Sequence, residues 1–361
     1  MDRHDRRTRG AEAADRGRLR VQAAGPGRRA ARGHRGLTPQ PDTPRPLARW
    51  WGQTPGLSPR IAALLGALTI AFSAILVKAS EVAPATSAFF RCFYAVPVLW
   101  LLARGVERTA YQQRLAYAAG ILFAVDLVAW HYAIDYIGAG LATVLGNLQV
   151  VLVGLVAWLL LAERPEARIL VAVPPALVGI VLISGAFEDG AYGADPAKGA
   201  IFGIVTALSY TAFILLIRQS GTGSDPAPPL FEATWVAAIG CAVAGIAIGD
   251  IDFVPHWPAH GWLLLLAISS QVVGWLLITS SLPRLPAAVT SVLLTLQPLT
   301  SMLLGALLFR EDPTELQLLG AALILVGLLT AARPPAAARS SRTDPARPAS
   351  APPSSHPSPG Q

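Results

Sequence analysis

Ten stretches of about twenty mainly apolar residues, joined by short polar links, run through this chain. That length carries a helix across a hydrocarbon layer roughly 30 Å thick. The stretches lie at about 61–79, 85–103, 115–137, 140–162 and 168–186, then at 199–217, 231–249, 262–282, 287–309 and 315–332. A bilayer cannot hydrogen-bond an exposed backbone, so only helices and closed barrels span it. Each stretch is far longer than a barrel strand. The expected fold is therefore an all-α membrane protein with ten transmembrane helices. Composition agrees. Of 361 residues 53% are hydrophobic and 14% charged, where a soluble domain carries about a quarter charged.

The ends of the chain differ from its middle. Residues 1–58 form a basic tail and residues 333–361 a Pro/Ser/Ala-rich one, and both are expected to be disordered. The opening run MDRHDRRTRGAEAADRGRLRVQAAGPGRRAARGHRG is nearly free of aromatic and β-branched residues and has no continuous apolar segment of the secretory kind. Two readings of it stay open: a disordered cytoplasmic tail, or a translation start that lies downstream. The formal charge of +7 does not point to nucleic acid, which would need a folded basic face interleaved with aromatics. Cys92 and Cys241 both fall inside apolar stretches. They suggest neither a disulfide framework nor a zinc site.

Loop charges set an orientation. With the N-terminus in the cytoplasm, the inner links carry Arg104, Arg108, Arg114, Arg164, Arg168, Arg218 and Arg284. The outer links carry Lys78, Lys198 and Arg310, beside acidic runs such as FEDGAYGAD and GDIDF. The inner excess of arginine places both termini in the cytoplasm, in a multi-pass protein of the plasma membrane.

A repeat is visible inside the chain. Residues 140–165 read GLATVLGNLQVVLVGLVAWLLLAERP and residues 288–313 read AVTSVLLTLQPLTSMLLGALLFREDP. At one constant offset Gln149 matches Gln297, Glu163 matches Glu311, Pro165 matches Pro313 and Gly179 matches Gly327. The repeated unit holds five spans, at 59–186 and 199–332. Five is odd, so the second copy enters the membrane from the opposite side. Two inverted repeats are the plan of many secondary transporters.

These features resemble the drug/metabolite transporter superfamily in its two-domain EamA-type form. The resemblance covers about 61–332. It is carried by the five-plus-five plan, the apolar helices ending in AERP and REDP, and the segment FFRCFYAVPVLWLLA with an arginine early in the second span. It implies a transporter whose relatives mostly export small metabolites, amino acids or toxic compounds, or move nucleotide sugars. It names no cargo.

Candidate site residues follow from polar groups placed in apolar stretches. DLVAW (126–130) aligns with QVVGW (271–275), so Asp126 matches Gln271 and Trp130 matches Trp275. Residues four apart share a helix face. Each repeat thus stacks a polar group one turn from an indole, and the two faces would line one cavity. A mid-membrane carboxylate is costly, so Asp126 is either a satisfied structural group or a coupling site for a proton or cation. The coupling role is the one favoured. Asn147, Gln149, Thr295 and Gln297 on spans four and nine, with Pro298 beside them, are expected to line the same cavity. Tyr210 joins them, with Ser209 and Ser73 as weaker candidates. Arg91 either snorkels to the outer surface or forms an ion pair, as the resemblance implies, with Glu81 as partner. His131 and Asp135, four apart and nearer the outer end, form a structural pair or an outer proton relay. Glu163 and Glu311 are read as caps that fix turns.

Enzyme signatures are absent: the chain has no P-loop, HExxH or GxSxG, and HWPAH (256–260) has a proline between its histidines. No cofactor, resident metal or catalytic residue is expected. The small-residue spacings GAIFG (199–203) and GIAIG (245–249) permit close helix contact within the bundle or between two protomers of a homodimer. The function expected is secondary transport of a small organic solute, outward and coupled to a proton or other gradient. The alternative is a membrane-embedded protein, enzyme or assembly partner, that uses this scaffold without transporting.

Overall fold

The computed structural model describes residues 58–161, 167–221, 225–281, 285 and 287–332. The tails up to residue 57 and from 333, with Glu163, Arg164, Pro165 and Arg284, lie outside the described residues. Ser58, assigned to the tail from sequence, is instead the N-cap of the first helix and accepts from the Ile61 amide at 3.4 Å.

The helices in chain order are α1 (Pro59–Ser80), α2 (Pro84–Ala103), α3 (Ala110–Gly146), α4 (Gln149–Leu161), α5 (Ala167–Ile183), α6 (Pro196–Ser220), α7 (Ala227–Ile248), α8 (Ala259–Ser281), α9 (Ala287–Phe309) and α10 (Glu315–Ala331). No strand occurs among the described residues. The starts follow local chemistry. Pro sits at the first turn of α1, α2, α6 and α7, where its missing N–H costs nothing. Thr109 with Gln112, and Thr314 with Gln317, form reciprocal capping boxes on α3 and α10. The outward faces are apolar, with Val171 and Leu307 among the large hydrophobic residues left bare on the bundle's surface, as a lipid-facing wall requires.

The third and fourth spans differ from their expected form. They are continuous through α3 except at Gly138, whose φ of 84° and ψ of 166° break the helix. One glycine makes the whole reversal, because only glycine takes this conformation freely. The two arms then run back along each other: a methyl group added at Gly146 would sit 3.7 Å from the Trp130 ring. The returning arm breaks again at Asn147 and Leu148 before α4 continues.

The halves interlock by exchange. Helix α1 packs on α8 and α9 of the second half, as α6 packs on α3 and α4 of the first. Helices α2 and α7 meet each other, as do α5 and α10. Each pair thus joins helices that hold the same place in the two runs of five. The register agrees with the sequence offset. Gly179 lies against the backbone of Gly320, and the matched contact places Gly327 against the backbone of Ala172.

Glu311 carries out the capping role read from sequence. Its carboxylate is buried and accepts from the Ala139 and Gly140 amides at 2.7 and 3.1 Å. These are the first free amides of the returning arm, where a helix favours negative charge. Lys78 completes the cluster at 2.6 Å. Glycine at 138 and 305 makes the space: a Cβ would lie 2.7 and 2.3 Å from carboxylate atoms. Its matched residue Glu163 is outside the described residues.

Losing this carboxylate removes hydrogen bonds to three donors. Glu311→Ala is expected to lower stability by about 3 kcal/mol, and Glu311→Gln by less, since its amide oxygen still accepts. Unfolding of the detergent-purified chain measures both, and a Glu311→Gln protein as stable as the parent would show that the charge plays no part.

Candidate functional site

Between the two halves lies a cavity of about 70 Å³, room for roughly five water molecules. Its wall comes from six helices. Ile70 and Ser73 of α1 line it with Arg91 of α2, and the outgoing arm of α3 adds Phe123, Asp126, Leu127 and Trp130. The returning arm adds Thr143, Gly146 and Asn147. Thr206 and Tyr210 of α6, Trp275 of α8 and Gln297 of α9 complete it.

The one-residue turn at Gly138 explains why both arms of α3 reach the same space. The break after Gly146 explains the polar edge beside Trp130. Asn147 turns its side chain back and donates Nδ2 to the Thr143 carbonyl at 2.8 Å, so the interrupted ladder keeps a partner. Backbone irregular at mid-span is tolerated where it lines a cavity.

The aromatic groups form one continuous wall. Phe123 stacks on Phe213, with centroids 4.4 Å apart, and Tyr210 stacks on Phe213 at 6.0 Å. Trp275 meets Phe123, Tyr210 and Phe213 edge-on. On the other side the Arg91 guanidinium lies 5.5 Å from the Trp130 ring centre, in range of a cation–π attraction. The matched tryptophans therefore face one space, each against a different partner.

Seven of the sequence-derived candidates line the cavity: Arg91, Asp126, Trp130, Asn147, Tyr210, Trp275 and Gln297. Ser73, a weaker candidate, lines it too. Gln271 does not. It is fully buried behind Arg91, accepting from Nε at 3.1 Å and donating to Thr234 Oγ1 at 3.2 Å. Gln149 and Thr295 are buried but lie outside the lining. Ser209 donates to the Val205 carbonyl of its own helix. The expected Arg91–Glu81 pair does not form. Glu81 caps the end of α1 in a left-handed conformation, and Arg91 turns inward to Gln271, only 4% exposed.

His131 and Asp135 are not brought together. His131 is 1% exposed, away from water, and donates Nδ1–H to the Leu127 carbonyl at 2.6 Å. Asp135, one turn on, is exposed. No described hydrogen bond joins them. Thr143, Thr206 and Phe123 escaped sequence reasoning. Thr206 donates to the Asp126 backbone carbonyl at 3.4 Å. The available signal was the Gly146-Asn147 dipeptide, a helix breaker inside an apolar run.

Among the described residues no set of His, Cys, Asp and Glu side chains is gathered for a metal ion. The two cysteines are free and buried. What the arrangement offers chemically is selective enclosure: one cation, one carboxylate, neutral amides and hydroxyls, and a large aromatic wall.

Comparison with known proteins gives consistent matches. The chain matches the EamA-like transporter family twice, over residues 58–185 and 197–333. A protein of Archaeoglobus fulgidus named as an uncharacterized transporter is 26% identical over 180 residues, 48% of this chain and 60% of that one. The chain thus spans less than two thirds of that relative. Proteins named pseudopaline exporter CntI, from two strains of Pseudomonas aeruginosa, are 26% identical over 278 residues, 76% of this chain and 95% of theirs.

Gln271→Leu would leave Arg91 and Thr234 without their shared partner in a fully buried position. It is expected to cost about 2–3 kcal/mol, against less than about 1 kcal/mol for Thr206→Val, whose bond is long. Melting of the purified chain in detergent compares the two, and a Gln271→Leu protein as stable as the parent would show that this bond does not hold Arg91.

Proposed function

The chain belongs to the EamA-like transporter family, and on that premise we propose that it is a secondary transporter exporting a small organic metabolite, amino acid-like or drug-like, across the plasma membrane. The observation that carries this reading is the cavity between the two repeats, with matched tryptophans and a buried carboxyl group in its wall. A site at the interface of inverted repeats can face either side as one half rocks against the other. The relatives named as pseudopaline exporters support outward movement. At 26% identity their cargo does not carry over.

In this reading Asp126 couples transport to a proton or other gradient. It sits at mid-helix, 6% exposed, in the cavity wall. Its matched residue in the second repeat is the neutral Gln271, so one half holds an ionisable group where the other cannot. The cytoplasmic placement of both termini rests on loop arginines such as Arg104, Arg108 and Arg218. The small-residue spacings of α6 and α7 serve contacts within the bundle, Gly199 and Gly203 against Ile137 and Leu145 and Gly245 against Ala85, so they do not argue for a homodimer.

Efflux from proteoliposomes across a panel of amino acids, amines and organic acids tests the proposal, with a pH gradient imposed or absent. Accumulation against a concentration gradient is expected with at least one solute. Asp126→Asn is expected to abolish its dependence on the pH gradient. Gradient-driven transport that survives Asp126→Asn removes the coupling role, and no flux of any solute removes the transporter reading.

A further inference from the structure

An arginine and a carboxyl group line the cavity and do not meet. Arg91 and Asp126 both line it and are 4% and 6% exposed. No described hydrogen bond or ion pair joins them. Buried charges are costly when left apart, and direct pairing would be the simplest relief. The structure prevents that by holding Arg91 elsewhere. Nε is committed to Gln271 Oε1, Gln271 is in turn fixed by Thr234 Oγ1, and the guanidinium plane rests beside the Trp130 ring. The chain from Thr234 to Gln271 to Arg91 uses one edge of the fork. Its two terminal amino groups have no hydrogen-bond partner among the described residues.

We infer that these terminal amino groups are an oxyanion subsite, and that the transported solute carries a carboxylate or similar planar oxyanion for Arg91 together with a cationic nitrogen for Asp126. An end-on guanidinium presents two parallel N–H bonds that match the two oxygens of a carboxylate. Arg91 touches the solute, whereas Gln271 and Thr234 position Arg91. A solute with both charges completes two ionic contacts at once and brings no net charge into the membrane interior. A solute with only one charge leaves the other buried group unpaired. This inference rests on the exporter reading and adds the substrate class to it.

The test compares metabolites in the medium and interior of cells expressing the full chain with those carrying an empty vector, then repeats the comparison for variants. The solute whose efflux rises is expected to hold an oxyanion and a cationic nitrogen. Arg91→Gln is expected to weaken its export about ten- to hundredfold, the worth of a charged hydrogen bond, and Arg91→Lys to restore part of it. Gln271→Glu is the separating variant. It gives Arg91 an internal counter-charge, so the fold is retained while the half-saturation concentration for the solute rises by about tenfold. If Arg91 is merely structural, Gln271→Glu leaves that concentration unchanged. A cargo without an oxyanion, or undiminished export by a correctly folded Arg91→Gln protein, overturns the inference and leaves the exporter reading standing. A profile with no solute changed removes the exporter reading and this inference with it.

Discussion

The carboxylate of Glu311 fixes where one helix ends and another begins, and the site depends on that junction. A chain that reverses at a single glycine exposes free amides in a place water does not reach. In a bilayer such amides must be satisfied by protein. Glu311 supplies the acceptor from another helix, and Lys78 supplies the balancing charge. With the turn held at Gly138, the returning arm is locked in register against the outgoing one. That register sets Gly146 and Asn147 opposite Trp130, and so places half of the cavity wall. A longer or looser turn would shift Thr143 and Asn147 along the helix and out of the site.

The inner charges obey a different rule. Arg91 could have reached water, since long basic side chains often run along apolar surface to the boundary. It is held inward by an amide that occupies the position matched to Asp126. The two matched positions thus have unlike surroundings. One presents a carboxylate to the cavity. The other turns a neutral amide into a bracket for a cation. Trp130 and Trp275 keep the same residue type, yet one lies beside the guanidinium and the other closes an aromatic cluster.

Much of this was legible in the sequence because long-range order in a membrane is written in apolar length and in repetition. The ten spans, the two halves and the register linking Gly179 with Gly327 came from pattern alone. Asp126, Trp130 and Trp275 were found because alignment of the halves exposed them. Gln271, Gln149 and Thr295 were drawn into the cavity by the same symmetry. Matched positions share a helix face, but not the packing that decides which side chain fronts a cavity and which stands behind another. The Arg91–Glu81 pairing went wrong for a local reason. Proximity in sequence across a short link suggested contact, while the left-handed end of α1 sends Glu81 to the surface. The break at Asn147 was visible only as a Gly-Asn pair, overshadowed by the strong hydropathy around it.

The crossing of α5 and α10 bears on how such a molecule could move. At Gly179 and Gly320 each helix approaches the other's backbone so closely that an added Cβ would fall 2.5 and 2.7 Å from a carbonyl oxygen. Surfaces in this contact have no side chains to slide over, and lengthwise shear would drive a neighbouring Cβ into the opposing backbone. Rotation about the point of contact meets no such obstacle. If the halves rock, this crossing would be the fulcrum, and the helices farthest from α5 and α10 would sweep the longest arc.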